Sequence, residues 1–445
     1  MNKNKVLLGD CREVLKTLPD NSVDSIVTDP PYELGFMGKK WDKSGIAYDL
    51  DVWKQCIRVL KPGGHLLAFG GTRTYHRMAV AIEDAGFEIR DMIEWVYGSG
   101  FPKSLNIGKA VDKLQGNERK AVETDKTIPD IRANNYSNSN GKERLKANIT
   151  KGTSEWEGWG TALKPAHEPI CMARKPLSEK TLAENCLKWG TGGINVDGSR
   201  VESSQEDKIT MDNKASKNPT TNYSDKEDKI YSAFAEDKAS PSNPISRFPA
   251  NLIHDNSEEV RACFPDTKSG KAGVRKSDGF NNGVYGKGMG VKTGQANGEF
   301  GDSGNASRFF KSIIYQPKAS KSERNRGCEG LEEKETKRYG DFEGTPEHAP
   351  KLNVKNTNNH PTVKPVALMQ YLIKMVTPKR GVVLDPFAGS GTTGVACEED
   401  GFGYVLIEME EEHLEIINSR LGSFNHKTEE VKITKTQLTM NFDDE

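Results

Sequence analysis

The sequence predicts an α/β chain built on a mostly parallel sheet with helices on both faces. Three observations carry that prediction. Short apolar runs alternate with helical apolar spacing through the first hundred residues, the same alternation returns after His360, and a Gly-rich turn joins one of the later strands to its helix.

The elements follow in order. Val6 to Leu8 is a short strand stopped at Gly9-Asp10, and Cys11 to Leu18 fits a helical turn or two. Val23 to Val27 is a second strand, stopped by Asp29-Pro30-Pro31. Asp51 to Leu60 has helical apolar spacing through Val52, Cys56, Val59 and Leu60, and ends at Lys61-Pro62-Gly63-Gly64. His65 to Phe69 reads as a buried strand, Tyr75 to Ala85 as a helix closed by Gly86, and Phe87 to Tyr97 as a strand. Asn134 to Gly160 reads as a loop, and Glu168 to Ala173 as one more strand. From about Ser178 to about Asn359 strong periodicity is missing. Within that span Ser203 to Ser246 is charged and polar, and Ser269 to Ser307 is Gly-rich, so both read as disordered or loop-rich insertion. Order returns with a helix over Val366 to Val376, a strand over Gly381 to Leu384, a helix over Thr393 to Asp400, a strand over Tyr404 to Ile407 and a helix over Glu411 to Leu421. A polar tail follows, and no internal repeat is present.

Composition narrows the function classes. The chain has 445 residues, is 34% hydrophobic and carries a formal net charge of -1, so it is long enough for a full α/β domain plus a second module, and any nucleic-acid surface must be local. The seven cysteines are scattered with no CxxC pair, which argues against a zinc site or a disulfide framework and for reduced thiols in the cytosol. No apolar run approaches membrane-spanning length, so the sequence reads as soluble and cytoplasmic.

Two motifs carry the chemistry. In Val382-Val383-Leu384-Asp385 running into Phe387-Ala388-Gly389-Ser390-Gly391-Thr392-Thr393, a strand meets a Gly-rich turn and a helix start. Glycines let backbone approach a ligand, and the helix start supplies free N–H groups and a positive dipole end. The six-residue spacing and lysine of a P-loop are missing, which ranks a phosphate loop below a nucleoside cofactor loop. About twenty residues on, the next strand ends in Glu408, the spacing at which an acid accepts ribose hydroxyls in dinucleotide folds. Glu410, Glu411 and Glu412 read instead as a solvated helix start. At the other end, Asp29-Pro30-Pro31-Tyr32 closes a strand where α/β sheets place their chemistry. Its residue types suit methylation of an exocyclic amine, whose delocalised lone pair makes it a poor nucleophile. Asp29 and the Pro30 carbonyl can accept from the NH2 group, while Tyr32 offers a stacking face. A rigid strand-ending turn is the plainer reading of that run taken alone.

Together these motifs resemble a circularly permuted, β-class DNA amino-methyltransferase of the adenine-N6/cytosine-N4 family, in which the catalytic Asp-Pro-Pro-Tyr precedes the S-adenosylmethionine (SAM) loop. The resemblance covers roughly the first 175 residues and Asn359 to Leu421. It implies a SAM-dependent methyltransferase, Rossmann-like fold, with residues 1–175 as the catalytic half, 176–358 as an inserted target recognition module, 359–424 as the SAM-binding half and 425–445 as a tail. It implies Asp29, Pro30, Pro31 and Tyr32 as catalytic. It implies Asp385, Phe387, Gly389, Gly391, Thr392, Thr393 and Glu408 as SAM contacts. From His360-Pro361-Thr362-Val363-Lys364-Pro365 it adds Thr362 and Lys364 beside the methionine moiety, and from Gly9-Asp10 it adds Asp10 beside the adenine; a stiff lead into a helix and a helix N-cap are the respective alternatives. Phe36 is equally a wall of the base pocket or a core aromatic.

In the middle region, Arg308, Lys311, Tyr315 and Lys318 interleave charge with aromatics, continued by Lys321, Arg324 and Arg326, which suits contact with DNA phosphates as well as a core strand with a basic face. Arg247-Phe248-Pro249-Ala250-Asn251 is a second such stretch. The implied reaction is methylation of adenine N6 in flipped-out bases of duplex DNA, with cytosine N4 as the rival and a non-catalytic SAM-binding DNA protein behind both. No metal is expected. The resemblance leaves room for a homodimer and for a cognate restriction endonuclease, as in restriction-modification systems.

Overall fold

A computed structural model describes residues 4–35, 40–98, 100, 104–122, 127–129, 144–146, 149–202, 246–268, 303–313, 321–337, 353–422 and 426–431. Its centre is a ten-stranded sheet. In chain order the strands are β1 (Asn4–Leu8), β2 (Val23–Thr28), β3 (Leu60–Phe69), β4 (Glu88–Val96), β5 (His167–Arg174), β6 (Leu252–His254), β7 (Lys311–Ser312), β8 (Val382–Asp385), β9 (Gly403–Glu408) and β10 (Lys427–Glu430). Across the sheet they run β7-β6-β4-β5-β3-β2-β8-β9-β1-β10. Every neighbouring pair is parallel except the two made by β5. The mixed α/β, mostly parallel architecture expected from the sequence is the one observed.

Alternate residues along the buried strands feed two cores. Val27, Leu67 and Val383 point to one face, while Ile26, Leu66 and Leu384 point to the other. Each face is covered mainly by one part of the chain. The helices α1 (Cys11–Val14), α2 (Leu50–Val59) and α3 (Tyr75–Asp84) supply Val14, Trp53 and Ile82 to the second core. Later come α4 (Ile107–Gln115), α5 (Leu182–Trp189), α6 (Val366–Val376), α7 (Thr392–Asp400) and α8 (Glu411–Leu421), of which α6, α7 and α8 supply Leu372, Val395 and Ile417 to the first core. The seam that matters for function is the pairing of β2 with β8, Ser25 opposite Val383 and Ile26 opposite Leu384. It brings the two sequence motifs, far apart in the chain, to one edge of the sheet.

Four departures from the sequence reading stand out. β3 begins at Leu60 rather than His65, because Lys61 to Gly64 form an irregularity in a continuous pairing with β2: Leu60 sits opposite Val23 and His65 opposite Ser25. The Pro62 carbonyl there accepts from Asn185 and Thr191, and Gly63, with φ of +78°, donates to Lys175. Inside the stretch with no strong periodicity, α5 is held by a capping box between Thr181 and Glu184, and β6 and β7 extend the sheet beyond β4. In the polar tail, β10 pairs with β1 at the sheet edge, with Lys5 beside Glu429 at 3.6 Å. Within the expected loop Asn134 to Gly160, Arg144–Lys146 pairs with Thr127–Pro129 and Ile149–Lys151 with Lys120–Val122. The stretches 203–245 and 269–302, expected to be loop-rich, lie outside the described residues. No helix among the described residues is long and apolar enough to cross a membrane.

Candidate active site

The loop after β2 and the loop after β8 share one anchor. Asp385, at the end of β8 and buried, accepts from the Thr28 hydroxyl at 2.7 Å, the Thr393 hydroxyl at 2.5 Å and the Phe387 backbone N–H at 3.1 Å. Burial pushes its carboxyl up to about 6 even with those donors in place. One buried carboxylate thus ties the last residue of β2 to the Gly-rich turn and to the first turn of α7.

The turn after β8 is shaped by backbone. Gly389 and Gly391 have φ of +55° and +75°, the left-handed region. A Cβ at Gly389 would lie 2.8 Å from His360 Nε2, so a side chain there would have to displace the His360 ring. The Gly389 N–H donates to Glu408 Oε2 at 2.8 Å, and Glu408 Oε1 accepts from the Glu410 N–H at 2.9 Å. Gly391 caps α7 without a capping side chain, leaving that helix start open to an external acceptor. From below, buried Arg420 of α8 donates to the Ser390 carbonyl at 2.7 Å and the Thr392 hydroxyl at 3.0 Å. His360 packs edge-on against His413 with ring centroids 4.5 Å apart and bonds the Thr362 carbonyl through Nδ1. Burial, and then His413, hold the His360 imidazole well below the usual histidine range. Across the turn, Asp10 caps α1 by accepting from the Arg12 N–H and pairs with the Arg12 guanidinium, which holds its carboxyl below the usual range. Phe387 packs against Trp53, centroids 6.5 Å apart.

The loop after β2 is shaped by side chains. Pro30 and Pro31 end the strand, and Thr74 donates to the Tyr32 carbonyl at 2.7 Å. Asp29 Oδ2 accepts from Lys364 Nζ at 2.6 Å. The ammonium of Lys364, a residue only 9% exposed, also reaches the Tyr32 hydroxyl at 3.2 Å and Glu168 Oε2 at 3.4 Å, and lies over the Phe69 ring at 4.8 Å. The Tyr32 hydroxyl donates to Glu168 Oε2 at 2.8 Å, and the Tyr97 hydroxyl to Glu168 Oε1 at 3.4 Å. Asp29 Oδ1 is buried and has no hydrogen-bond partner among the described residues. Burial raises the Asp29 carboxyl above its ordinary range, against the Lys364 ammonium and with the Glu168 charge. Burial works against the Lys364 ammonium, but Asp29 and Glu168 outweigh it and hold it above the ordinary lysine range.

Both loops open into one cavity of about 500 Å³, a size that takes ligands of drug-like dimensions. Of the residues singled out from sequence, Asp10, Asp29, Pro30, Pro31, Tyr32, Thr362, Lys364, Asp385, Phe387, Gly389, Thr392, Thr393 and Glu408 line it, and Gly391 stands behind the wall as the cap of α7. Lys364 sits with the Asp29 loop rather than against the Gly-rich turn. Trp95, Tyr97 and Glu168 line the cavity as well and had no sequence signal, because β5 brings Glu168 opposite Trp95 only through antiparallel pairing with β4. Arg420 was equally hidden, as one more charge on an amphipathic helix.

The basic stretches of the middle region stand apart from the cavity lining. Arg308 donates to the Gly304 and Asn305 carbonyls and stacks on Phe309, which Arg247 also faces at 4.9 Å. Lys311 lies over the Tyr371 ring at 5.2 Å. Arg324 donates to the Asn358 carbonyl, and Arg326 pairs with Glu399. Phe248 is exposed. Phe36, Tyr315 and Lys318 lie outside the described residues. Among the described residues no group of histidine, cysteine, aspartate or glutamate is arranged to hold a metal ion.

Comparison with known proteins adds independent information. The DNA methylase family model for N6/N4 enzymes matches residues 23–419. The Type II methyltransferase M.HinfI of Haemophilus influenzae is 32% identical over 111 residues, 21% of this chain and 31% of its own length. The Type II methyltransferase M2.DpnII of Streptococcus pneumoniae is 41% identical over 71 residues, 16% of this chain and 26% of its own. The chain therefore matches less than a third of the length of either curated relative. Among solved structures, the PvuII DNA methyltransferase (cytosine-N4-specific) aligns over 99% of this chain and 91% of its own at 12% identity, with a TM-score of 0.41.

Proposed function

Since the chain belongs to the N6/N4 DNA methylase family, we propose that it transfers a methyl group from SAM to the N6 amino group of adenine in duplex DNA. The single observation that carries the reading is Asp29, which lines the cavity: Lys364 holds one carboxylate oxygen, and the other is buried without a hydrogen-bond partner among the described residues. A buried acceptor without a donor is costly, and an exocyclic NH2 group would satisfy it.

The residues fit SAM on their own evidence. The first turn of α7 has no capping side chain and can receive the carboxylate of an amino-acid end. Glu408 and Asp10 place acids on the cavity wall for ribose hydroxyls and adenine, and Phe387 and Thr362 line it. When bound, SAM supplies a methyl group on a sulfonium, ready for direct displacement. Asp29 Oδ1 and the Pro30 carbonyl accept the two amine hydrogens, which draws the nitrogen lone pair out of the ring and toward that methyl. Tyr32, with Tyr97 and Trp95 nearby, offers ring faces to a base that has left the duplex. The amine proton released by methylation would pass to Asp29 or to solvent.

The wider assignment follows the same reading. The order of the two loops along the chain and the β2–β8 pairing that unites them support a circularly permuted, β-class arrangement. In it, residues 1–175 and 359–424 are the two halves of the methyltransferase, 176–358 recognise the target, and 425–445 form a tail. The protein would act in the cytoplasm, alone or as a homodimer, within a restriction-modification pair or as a solitary enzyme. The test is incubation with SAM and unmethylated duplex DNA followed by nucleoside mass spectrometry. N6-methyladenine is expected. N4-methylcytosine would keep the site and change the base, and SAM binding with no methylated nucleoside would sink the catalytic reading.

A further inference from the structure

We infer that Lys364 and Glu168 are a pair of opposed positioning residues that set the direction and the charge of the Asp29 carboxylate. The inference rests on the amine-accepting role proposed above and goes further, because neither residue is assigned that task by motif or family.

Three groups converge on one ammonium. Lys364 Nζ lies 2.6 Å from Asp29 Oδ2, 3.4 Å from Glu168 Oε2 and 3.2 Å from the Tyr32 hydroxyl. Fastening Oδ2 fixes the carboxylate plane and with it the place of Oδ1, which is buried and has no hydrogen-bond partner among the described residues. Glu168 holds the ammonium from another direction. It accepts from the Tyr32 hydroxyl at 2.8 Å and the Tyr97 hydroxyl at 3.4 Å, so the stacking ring and the acceptor are held by one network. The groups come from four places in the chain: the loop after β2, the end of β4, the start of β5 and the segment before α6. Removing Lys364 leaves Asp29 and Glu168 without the cation they share.

The pair also acts on Asp29 through charge, in opposite directions. The titratable and charged groups facing Asp29 are Lys364, Glu168, Tyr32 on its own loop and, through Thr28, Asp385 at the end of β8. The Lys364 ammonium favours the ionised acceptor, whereas the Glu168 charge disfavours it. An amine donor needs the ionised form.

The experiment follows single-turnover methyl transfer to unmethylated duplex DNA across pH, with SAM affinity by calorimetry and thermal melting as controls. In Lys364→Met the acid limb of the rate should move up by about 1 pH unit, and the rate at its plateau should fall about 100-fold. SAM affinity should stay within about threefold, because the cofactor-facing wall is untouched. Lys364→Arg, which keeps the charge, should restore the limb. Glu168→Gln, which can still accept from Tyr32, should move the limb down. Limbs that stay put, or that move the same way in both variants, would overturn the inference. So would a loss of SAM affinity in Lys364→Met at unchanged rate, which would make Lys364 a cofactor contact. If Lys364→Met does not fold, the direction of the Glu168→Gln shift decides alone. Failure of the underlying reading looks different: wild-type protein would then methylate no base at all.

Discussion

The loop after β2 sets its geometry with side chains, whereas the loop after β8 sets its geometry with backbone. In the first, Asp29, Lys364, Glu168 and Tyr32 interlock through charge, and one acceptor is left over. In the second, left-handed glycines turn the chain, and Glu408 and Arg420 bind N–H, carbonyl and hydroxyl groups of the turn to hold it. The contrast suits two jobs. A cofactor that must be gripped along its length calls for close backbone approach. A reacting amine calls for one acceptor aimed within hydrogen-bond distance. Asp385 joins the two, so neither loop can shift without the other.

Substitutions can break that division of labour, beginning with the largest expected effect. Asp29→Ala should lower the single-turnover methylation rate on the order of 100–1,000-fold while leaving calorimetric SAM affinity near wild type. A wild-type rate would remove Asp29 from the chemistry. Gly389→Ala should do the reverse. Its Cβ would meet His360 Nε2 and force a left-handed φ on alanine, a cost of about 1–2 kcal/mol, so SAM binding should weaken by about tenfold with the rate at saturation nearly kept. Unchanged affinity would mean that the turn does not carry the cofactor.

The link between the loops has a pH signature. Asp385 titrates near 6 in the fold against 3.8 in the unfolded chain. Its folded value is raised, so its contribution to stability is full below about pH 4 and is lost as pH rises through about 6, on the order of 3 kcal/mol in all. Urea unfolding of wild type and Asp385→Asn should therefore give a wild-type advantage that is larger at pH 4.5 than at pH 7. A gap that does not vary with pH would show that Asp385 keeps its ordinary titration. The smallest effect is expected at the middle region. There Arg308 and Lys311 already have packing partners. Neutralising both should weaken DNA binding modestly and flatten its salt dependence by about 1–2 in slope. An unchanged slope would leave them a purely structural role.

How much of this was legible in sequence depends on whether a feature is local. The buried strands announce themselves because parallel strands covered on both faces are short apolar runs, and both loops announce themselves because prolines and glycines stop those runs. That these loops share a cavity follows from the β2–β8 pairing, which local pattern does not reveal. β10 was hidden because an edge strand of Lys427, Thr428, Glu429 and Glu430 has no apolar face. Glu168 was hidden because its value lies in what β4 and the Asp29 loop bring beside it. Lys364 was legible as a motif residue, but its neighbour across the cavity was not. Short β6 and β7 have too few residues to show a period at all.

The most direct measurement is a two-by-two comparison of Asp29→Ala and Gly389→Ala, scoring SAM affinity and single-turnover methylation of unmethylated duplex DNA side by side. The account predicts a crossed result, with the rate lost at kept affinity in the first variant and affinity lost at nearly kept rate in the second. Parallel losses of both quantities in both variants would contradict it, because the two loops would then be one undivided site.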